Sequence, residues 1–195
     1  MIVSQFGVES WMDQYEEGAK YNITDTCAKP LSLAELFSLA GEDRADFMER
    51  FFAREQTYGT IFGSEKVKKE ISRLYASISP EEILTEHGAT GGNQHIFFSL
   101  IRPGDRVIAF SPSYQQFYSA PEALGAEVTV LRLRRENGYL PDLDELSRVA
   151  ARGVRMICLN NPNNPTGSLI PADMMADIVT IARRAGAYLF CDEVY

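Results

Sequence analysis

The sequence predicts a three-layer α/β/α fold with a mostly parallel sheet, preceded by a helical N-terminal segment. From about residue 83 onward, short apolar runs alternate with helical patterns, and turn residues separate them. This alternation is typical of strand–helix–strand crossover units in a parallel sheet. Polar motifs follow two of the predicted strands, at the edge where an open parallel sheet gathers its ligand. The 195 residues suffice for one domain with a substantial core, or for one and a half.

The predicted elements follow from apolar runs, turn residues and helix signals. An apolar helical stripe at residues 31–39 is ended by Gly41, and Ser64 is the predicted N-cap of a helix whose apolar face continues to Ile78. The predicted strands span residues 83–85, 107–110, 127–133, 154–159 and 187–191, and the helices between them span residues 90–101, 114–124, 142–150 and 171–185.

Composition excludes several classes of function. The chain has 19 basic and 27 acidic residues, a net charge of −8, so we expect no nucleic-acid partner. Cys27, Cys158 and Cys191 form no Cys-x-x-Cys pair, and His87 and His95 have no clustered ligands, so we expect neither a metal site nor a disulfide framework. The N-terminal stretch is acidic, and no apolar run reaches the length of a membrane span. We therefore expect a cytoplasmic protein without a membrane partner.

A glycine-rich turn at residues 88–93, Gly-Ala-Thr-Gly-Gly-Asn, opens a predicted helix. Small residues let backbone N–H groups approach an anion, and a helix N-terminus favours negative charge. One interpretation is a phosphate cradle with the Thr90 hydroxyl as an additional donor; the other is a tight turn that needs glycine. The spacing matches neither the dinucleotide-binding fingerprint nor the nucleotide P-loop.

Two further motifs follow predicted strands. Residues 161–167, Asn-Pro-Asn-Asn-Pro-Thr-Gly, form a stiff loop that can hold an amide at a fixed place. Asp192 ends an apolar run, and a carboxylate that is buried there needs a partner. One interpretation is a protonated ring nitrogen as that partner. The other is that Asp192 is an ordinary helix-capping aspartate. Tyr195 adds a phenol, and Tyr114 adds a ring that stacks on a ligand or simply packs. An amide and a phenol can hold a phenolic oxygen, so this set fits pyridoxal 5'-phosphate.

Together these motifs resemble the fold-type I, pyridoxal-phosphate-dependent aminotransferases of class I/II, the aspartate aminotransferase superfamily. Five elements occur in the family's order from about residue 58 to the end of the sequence. They are Tyr58-Gly59 with Gly63, the glycine-rich turn at 88–93, Pro103-Gly104-Asp105 with Pro112-Ser113-Tyr114, Asn164-Pro165-Thr166-Gly167, and Asp192-Glu193-Val194-Tyr195.

The resemblance implies how the chain holds the cofactor's phosphate. Ala89 and Thr90 match the residues that bind it, mainly through their backbone N–H groups. Tyr58 matches a tyrosine that often reaches the phosphate bound by the neighbouring subunit. The resemblance therefore implies a homodimer.

It also implies how the ring is held. Tyr114 stacks on the pyridine ring, and Asn164 and Tyr195 hydrogen-bond its phenolic oxygen. Asp192 pairs with the ring nitrogen and keeps it protonated. The protonated ring is then an electron sink for a carbanion at the substrate α-carbon.

The family's Schiff-base lysine lies beyond the Asp-x-x-Tyr strand, and here every lysine precedes the glycine-rich turn. The resemblance therefore assigns no catalytic residue within this chain, and we expect the chain alone to be inactive. It indicates an N-terminal portion of a longer enzyme. Residues 1–52 are then an N-terminal arm and part of a small domain, and residues 53–195 an incomplete cofactor-binding large domain. The lysines are Lys20, Lys29, Lys66, Lys68 and Lys69.

Three functions follow from these observations. The leading prediction is an aminotransferase that moves an amino group between an amino acid and a 2-oxo acid. Because the ring-holding residues serve any reaction through an α-carbanion, a lyase or an amino-acid cyclase with the same cofactor and fold stays open. A short protein that binds cofactor or a partner without catalysis is the third possibility, motivated by the missing lysine.

Overall fold

The computed structural model describes residues 2–24 and 26–195. Their internal contacts divide the chain into two compact units. One consists of the residues up to Asn22 together with Glu86–Tyr195, and the other of Ile23–Thr85. The expected boundary after residue 52 concerns the domains of the whole protein and stays a prediction.

Four strands of the first unit form one parallel sheet. They are β1 (Arg106–Ser111), β2 (Glu127–Arg132), β3 (Met156–Asn160) and β4 (Tyr188–Asp192). Their order is β2-β1-β3-β4, and every neighbouring pair is parallel, which confirms the predicted sheet. Ser111 lies opposite Arg132, and Asn160 lies opposite Asp192, so the carboxyl ends of the strands meet at one edge.

The described residues form eight α-helices, of which α1 and α5 to α8 belong to the unit with the sheet. The bounds of β1 to β4 and α5 to α8 agree with the sequence prediction to within two residues at each end. The helices are α1 (Gly7–Tyr15), α2 (Leu33–Ala40), α3 (Arg44–Ala53), α4 (Glu65–Ser72), α5 (Gly88–Leu100), α6 (Gln116–Ala123), α7 (Leu143–Ala150) and α8 (Ala172–Ala185).

Apolar side chains cover both faces of the sheet, and this makes the fold three-layered. Successive residues of β3 point to opposite faces. Ile157 packs with Ile178 of α8 on one face, and Met156 packs with Phe97 of α5 and Phe117 of α6 on the other. All five side chains are fully buried, and each such burial contributes about 1.5–3 kcal/mol. The core thus fixes α5 and α6 on the same face, where their N-terminal ends approach the carboxyl edge of the sheet.

The second unit contains α2, α3 and α4. Helix α2 begins with a capping box, in which the Ser32 and Glu35 side chains each bond the other residue's backbone N–H. It ends at Gly41, whose φ of 64° is the left-handed conformation that glycine favours, as the sequence predicts. The rings of Phe37 and Phe47 meet edge to face, with centroids 5.0 Å apart, and join α2 to α3.

The predicted length of α4 is wrong. The helix ends at Ser72 instead of continuing to Ile78. The Ser72 hydroxyl donates to the Lys69 carbonyl at 2.9 Å, and the next N–H groups bond carbonyls three residues back, as that of Leu74 does with Ile71. These tighter bonds replace the α-helical ladder and end the helix.

The predicted strand at residues 83–85 is also wrong. The Ile83 N–H donates to the Pro80 carbonyl at 3.3 Å and closes a 3₁₀ turn over Pro80–Glu82. No strand of the described residues pairs with this segment. The apolar run had the composition of a strand, but a strand forms only where a neighbour completes its hydrogen bonds.

The described residues contain neither a membrane-spanning helix nor a cluster of metal ligands. None of their helices is both long enough and apolar enough to cross a membrane. In the same residues, no group of three or more His, Cys, Asp or Glu side chains could hold a metal ion.

Candidate functional site

Asp192 lies at the carboxyl end of β4 and is only 7% exposed. Its Oδ2 accepts a hydrogen bond from the Asn93 side-chain amide at 2.8 Å, and its Oδ1 accepts one from the Val194 N–H at 3.0 Å. The interpretations as a partner of a ring nitrogen and as a helix-capping residue both stay predictions. Each carboxylate oxygen has two lone-pair sites, so Asp192 can accept further hydrogen bonds.

The glycine-rich turn is the first turn of α5. Gly88 has a φ of 75°, which only glycine adopts readily, so the turn does require glycine there. The N-cap residue, His87, makes no side-chain capping bond, and the first turn holds no acidic residue. Ala89 and Thr90 are exposed. The helix therefore presents N–H groups that no side chain caps, as an anion site requires.

The Asn-Pro loop is tied to both neighbouring strands. The Asn160 Nδ2 donates to the Asp192 carbonyl at 3.2 Å, and its Oδ1 accepts from the Asn164 N–H at 2.6 Å. The buried Asn163 amide donates to the Pro112 carbonyl at 3.1 Å. The Asn164 side chain is half-buried, and its amide has no hydrogen-bond partner among the described residues. The loop thus holds one unused amide beside Asp192.

Tyr114 lies between the turn of α5 and the N-terminal segment. Its hydroxyl is 3.3 Å from the Thr90 Oγ1. Its ring meets the Phe6 ring edge to face, with centroids 5.8 Å apart. The next side chain, that of Gln115, accepts from the Gly7 N–H at 3.0 Å and donates to the Gln5 carbonyl at 3.0 Å. The N-terminal segment is therefore held directly against Tyr114.

The other two predicted site residues are exposed at the surface. Tyr195 lies three residues beyond β4 and is 49% exposed. Tyr58 belongs to the second unit, and its side chain is fully exposed. The contacts of the first unit therefore bring together Thr90, Tyr114, Asn164 and Asp192. The roles of all the predicted site residues, Tyr58 and Tyr195 included, stay predictions.

Four polar residues of this edge were not singled out by the sequence. Asn93 was part of the glycine-rich turn, but nothing assigned its side chain a role, and Gln115, Gln116 and Asn160 belong to no motif. Their contacts reach up to 110 residues along the chain, so no local spacing predicts them. The one available signal is the presence of polar residues in stretches predicted to pack against the sheet.

The thiols near the site are shielded. Burial is the main cause that raises the pKa of the Cys191 thiol, to about 11, and the charges of Glu193 and Asp192 raise it further. The buried Cys158 thiol in β3 has a pKa far above its ordinary value, because burial disfavours the thiolate. Neither thiol is a nucleophile at neutral pH.

A cavity of about 900 Å³ lies apart from these residues, beyond the end of β2. Its walls include Arg132, Arg134 and Arg135, together with Glu136. None of the predicted site residues lines it. The cavity is therefore not the candidate site, although Pro112 lines the cavity and also accepts the hydrogen bond from Asn163.

Similarity to known proteins agrees with this geometry. The family model for aminotransferase class I and II matches residues 47–195. An aspartate aminotransferase of Thermotoga maritima is 30% identical over 132 residues, which are 67% of this chain and 35% of that protein. An LL-diaminopimelate aminotransferase of Syntrophobacter fumaroxidans is 34% identical over 114 residues, which are 58% of this chain and 29% of that protein.

A solved structure resembles the whole chain. The crystal structure of a PLP-dependent aminotransferase from Streptococcus suis matches all of this chain and 52% of that chain, with 44% sequence identity and a TM-score of 0.96. The chain thus spans about a third of the curated relatives and about half of this structure. Since the family model covers most of its residues, the chain belongs to the class I and II aminotransferase family.

Proposed function

We propose that the chain is part of a pyridoxal-phosphate-dependent aminotransferase, which moves an amino group between an amino acid and a 2-oxo acid. The observation that carries the proposal is a hydrogen-bonded connection between Asp192 and the turn of α5. Asn93 bonds Asp192 at 2.8 Å and Gln116 at 3.1 Å, and Gln116 bonds the Thr90 carbonyl at 2.9 Å. A carboxylate and an anion-binding turn therefore lie at the same edge of the sheet, where parallel sheets bind ligands.

The turn of α5 fits a phosphate. The N–H groups at Ala89 and Thr90 belong to a helix start without a side-chain cap. The Thr90 hydroxyl adds a donor on the exposed side of the turn. A dianion at this end also interacts favourably with the helix dipole.

The strand ends fit the ring of the same cofactor. The Asp192 carboxylate can accept the N–H of a protonated ring nitrogen, and burial strengthens that ion pair because water screens it little. The Asn164 amide, which no described residue engages, can donate to the phenolic oxygen, with the Tyr195 hydroxyl as a second donor. The Tyr114 ring supplies a stacking surface between the two ends.

When bound, the cofactor supplies an electron sink for the carbanion at the substrate α-carbon. The residues of this chain support that chemistry without touching the substrate bond. Asp192 keeps the ring nitrogen protonated, and Asn164 fixes the ring's orientation through its phenolic oxygen. The N–H groups of Ala89 and Thr90 anchor the phosphate and so prevent the ring from rotating away.

We also propose a homodimer and a cytoplasmic location. The fully exposed ring of Tyr58 supports the dimer, because it leaves the phenol available to a phosphate on the neighbouring subunit. Cys158 and Cys191 form no disulfide, which supports a reducing compartment.

The test uses the polypeptide encoded by the complete natural reading frame. It is loaded with pyridoxal 5'-phosphate and offered single amino acids together with a 2-oxo acid acceptor. The proposal predicts one new amino acid for each new 2-oxo acid formed. Release of ammonia or a thiol without an acceptor contradicts it in favour of a lyase, and a cyclic product contradicts it in favour of a cyclase. A polypeptide that retains no cofactor contradicts it in favour of a non-catalytic binding protein.

A further inference from the structure

Three buried polar side chains connect the two ends of the candidate site. Asn93, Gln116 and Asp192 are 6%, 2% and 7% exposed. Asn93 lies in α5, Gln116 begins α6 and Asp192 ends β4, so the network joins three elements of the first unit. Buried polar groups at this density are costly unless each is hydrogen-bonded. Core packing alone does not explain this network.

The direction of every bond in the network is determined by its two ends. The Asp192 carboxylate and the Thr90 carbonyl are both acceptors. The Asn93 amide must therefore turn its Nδ2 toward Asp192, and the same nitrogen donates its second hydrogen to the Gln116 Oε1. This leaves the Gln116 Nε2 to donate to Thr90. The chain of donors is consistent only while the Asp192 Oδ2 is an acceptor.

We infer that Asn93 and Gln116 are positioning residues, which orient the Asp192 carboxylate and lock it to the turn of α5. The hydrogen bonds that run from Thr90 through Gln116 and Asn93 to Asp192 form a relay. The inference rests on the proposed function, because it places the two ends of this relay at the two ends of one cofactor. Asn93 holds the Oδ2 and the Val194 N–H holds the Oδ1, so neither oxygen can rotate freely. Gln116 ties the same relay to the backbone of Thr90, so the acid and the phosphate turn move together.

The relay also explains why two neutral amides occupy these positions. A carboxylate in place of either amide puts a second acceptor against an acceptor and adds a like charge near Asp192. An apolar side chain leaves the Asp192 Oδ2 buried without its donor. An amide supplies the two donors that Asn93 uses, and an amide supplies the acceptor and the donor that Gln116 uses.

The first test needs no cofactor and no substitution. Hydrogen exchange of the side-chain amides is measured by NMR in the polypeptide encoded by the complete natural reading frame, without added cofactor. The inference predicts that the NH₂ groups of Asn93 and Gln116 exchange at least about tenfold more slowly than that of the exposed Gln14. Exchange as fast as that of Gln14 overturns it.

The second test uses pyridoxamine 5'-phosphate, which needs no lysine to bind, with ¹⁵N in its ring. Asn93→Leu and Gln116→Met are compared with Gln94→Met, a matched change on α5 to a residue outside the relay. Because hydrogen bonds to charged groups are strong, Asn93→Leu is expected to weaken binding about 10- to 100-fold. It is also expected to move the ring ¹⁵N resonance toward that of the unprotonated ring. The Gln116→Met change is expected to act in the same direction, whereas Gln94→Met leaves both values unchanged.

The outcomes separate the relay from the proposed function. Weaker binding with an unchanged ¹⁵N resonance overturns the positioning role. A general loss of structure gives this result, because it weakens binding without changing the protonation of the bound ring. A wild-type polypeptide of the complete natural reading frame that binds no pyridoxamine 5'-phosphate counts against the proposed function, while the exchange measurement still decides whether the relay forms. If Asn93→Leu does not fold, Gln116→Met decides the second test alone.

Discussion

The rings of Phe6 and Tyr114 meet edge to face at an interplanar angle of 85°, with centroids 5.8 Å apart. Phe6 precedes α1, and Tyr114 precedes α6 on the ligand edge of the sheet. The pair joins the N-terminal segment to a residue proposed to stack on the cofactor. Gln115 reinforces it with two hydrogen bonds, to Gln5 and Gly7.

We predict that Gln115→Met loosens the N-terminal segment without unfolding the sheet. Two neutral hydrogen bonds contribute about 0.5–1.5 kcal/mol each, so the amide hydrogens of α1 are expected to exchange about 5- to 100-fold faster. Hydrogen exchange followed by mass spectrometry measures this. Gln14→Met, the same change at an exposed position of α1, is the control and leaves the exchange unaltered. Unchanged exchange in Gln115→Met means that the two bonds do not hold the segment.

A second prediction concerns Asn160, which bonds both the Asn164 N–H and the Asp192 carbonyl. Replacing it with leucine leaves buried groups without partners, and we expect the free energy of unfolding to fall by about 2–4 kcal/mol. Asn160→Asp keeps the acceptor for Asn164 but turns a buried carboxylate oxygen toward the Asp192 carbonyl, so its loss is expected to be at least as large. Denaturant titration measures both variants. Equal stability of Asn160→Leu and the wild type contradicts the assigned bonds.

A third prediction concerns Gly63 in the second unit. Its φ is 90°, and a Cβ added there overlaps the Thr85 side chain. We expect Gly63→Ala to destabilise this unit by about 2 kcal/mol or more, because strain and overlap act together. Gly59→Ala is the matched control, since an added Cβ there meets no atom within 4 Å and the φ is not positive. Hydrogen exchange of α4 measures the effect, and equal exchange in both variants contradicts it.

A fourth prediction concerns the thiols. Because the pKa of Cys191 is raised to about 11, only about one part in a thousand is thiolate at pH 8. We expect Ellman's reagent to react at pH 8 with the exposed Cys27 alone. The rate at Cys191 is expected to rise about tenfold per pH unit until about pH 11. Cys27→Ser is the control, and rapid reaction of two or three thiols at pH 8 contradicts the assignment.

The same shift has a consequence for stability. In the unfolded chain the Cys191 thiol ionises near 9, whereas in the folded chain it keeps its proton until about pH 11. Between these values the unfolded state binds fewer protons, so the free energy of unfolding falls as pH rises. Below pH 9 the full contribution of the Cys191 thiol to the free energy of unfolding is present. Cys191→Ala is expected to reduce this slope in denaturant titrations between pH 9 and 11.

The sequence predicted those parts of the fold that depend on local signals. Gly41 ends α2, because the left-handed conformation that stops a helix is a property of a single residue. The predicted strand at 83–85 failed because a strand also needs a neighbour. The site was predicted as motifs at strand ends, but Asn93 and Gln116 could not be foreseen. Asn93 meets Asp192 across 99 residues, a contact that only the packing of α5 against the sheet creates.

The central claim is that Thr90 and Asp192 hold opposite ends of one pyridoxal phosphate molecule. The most direct test is NMR of ¹⁵N-labelled pyridoxamine 5'-phosphate bound to the chain, with ³¹P reporting the phosphate and ¹⁵N the ring. We predict one bound molecule whose ³¹P resonance moves in Thr90→Val and whose ¹⁵N resonance moves in Asp192→Asn. A ring nitrogen indifferent to Asp192→Asn, or a phosphate indifferent to Thr90→Val, contradicts the claim.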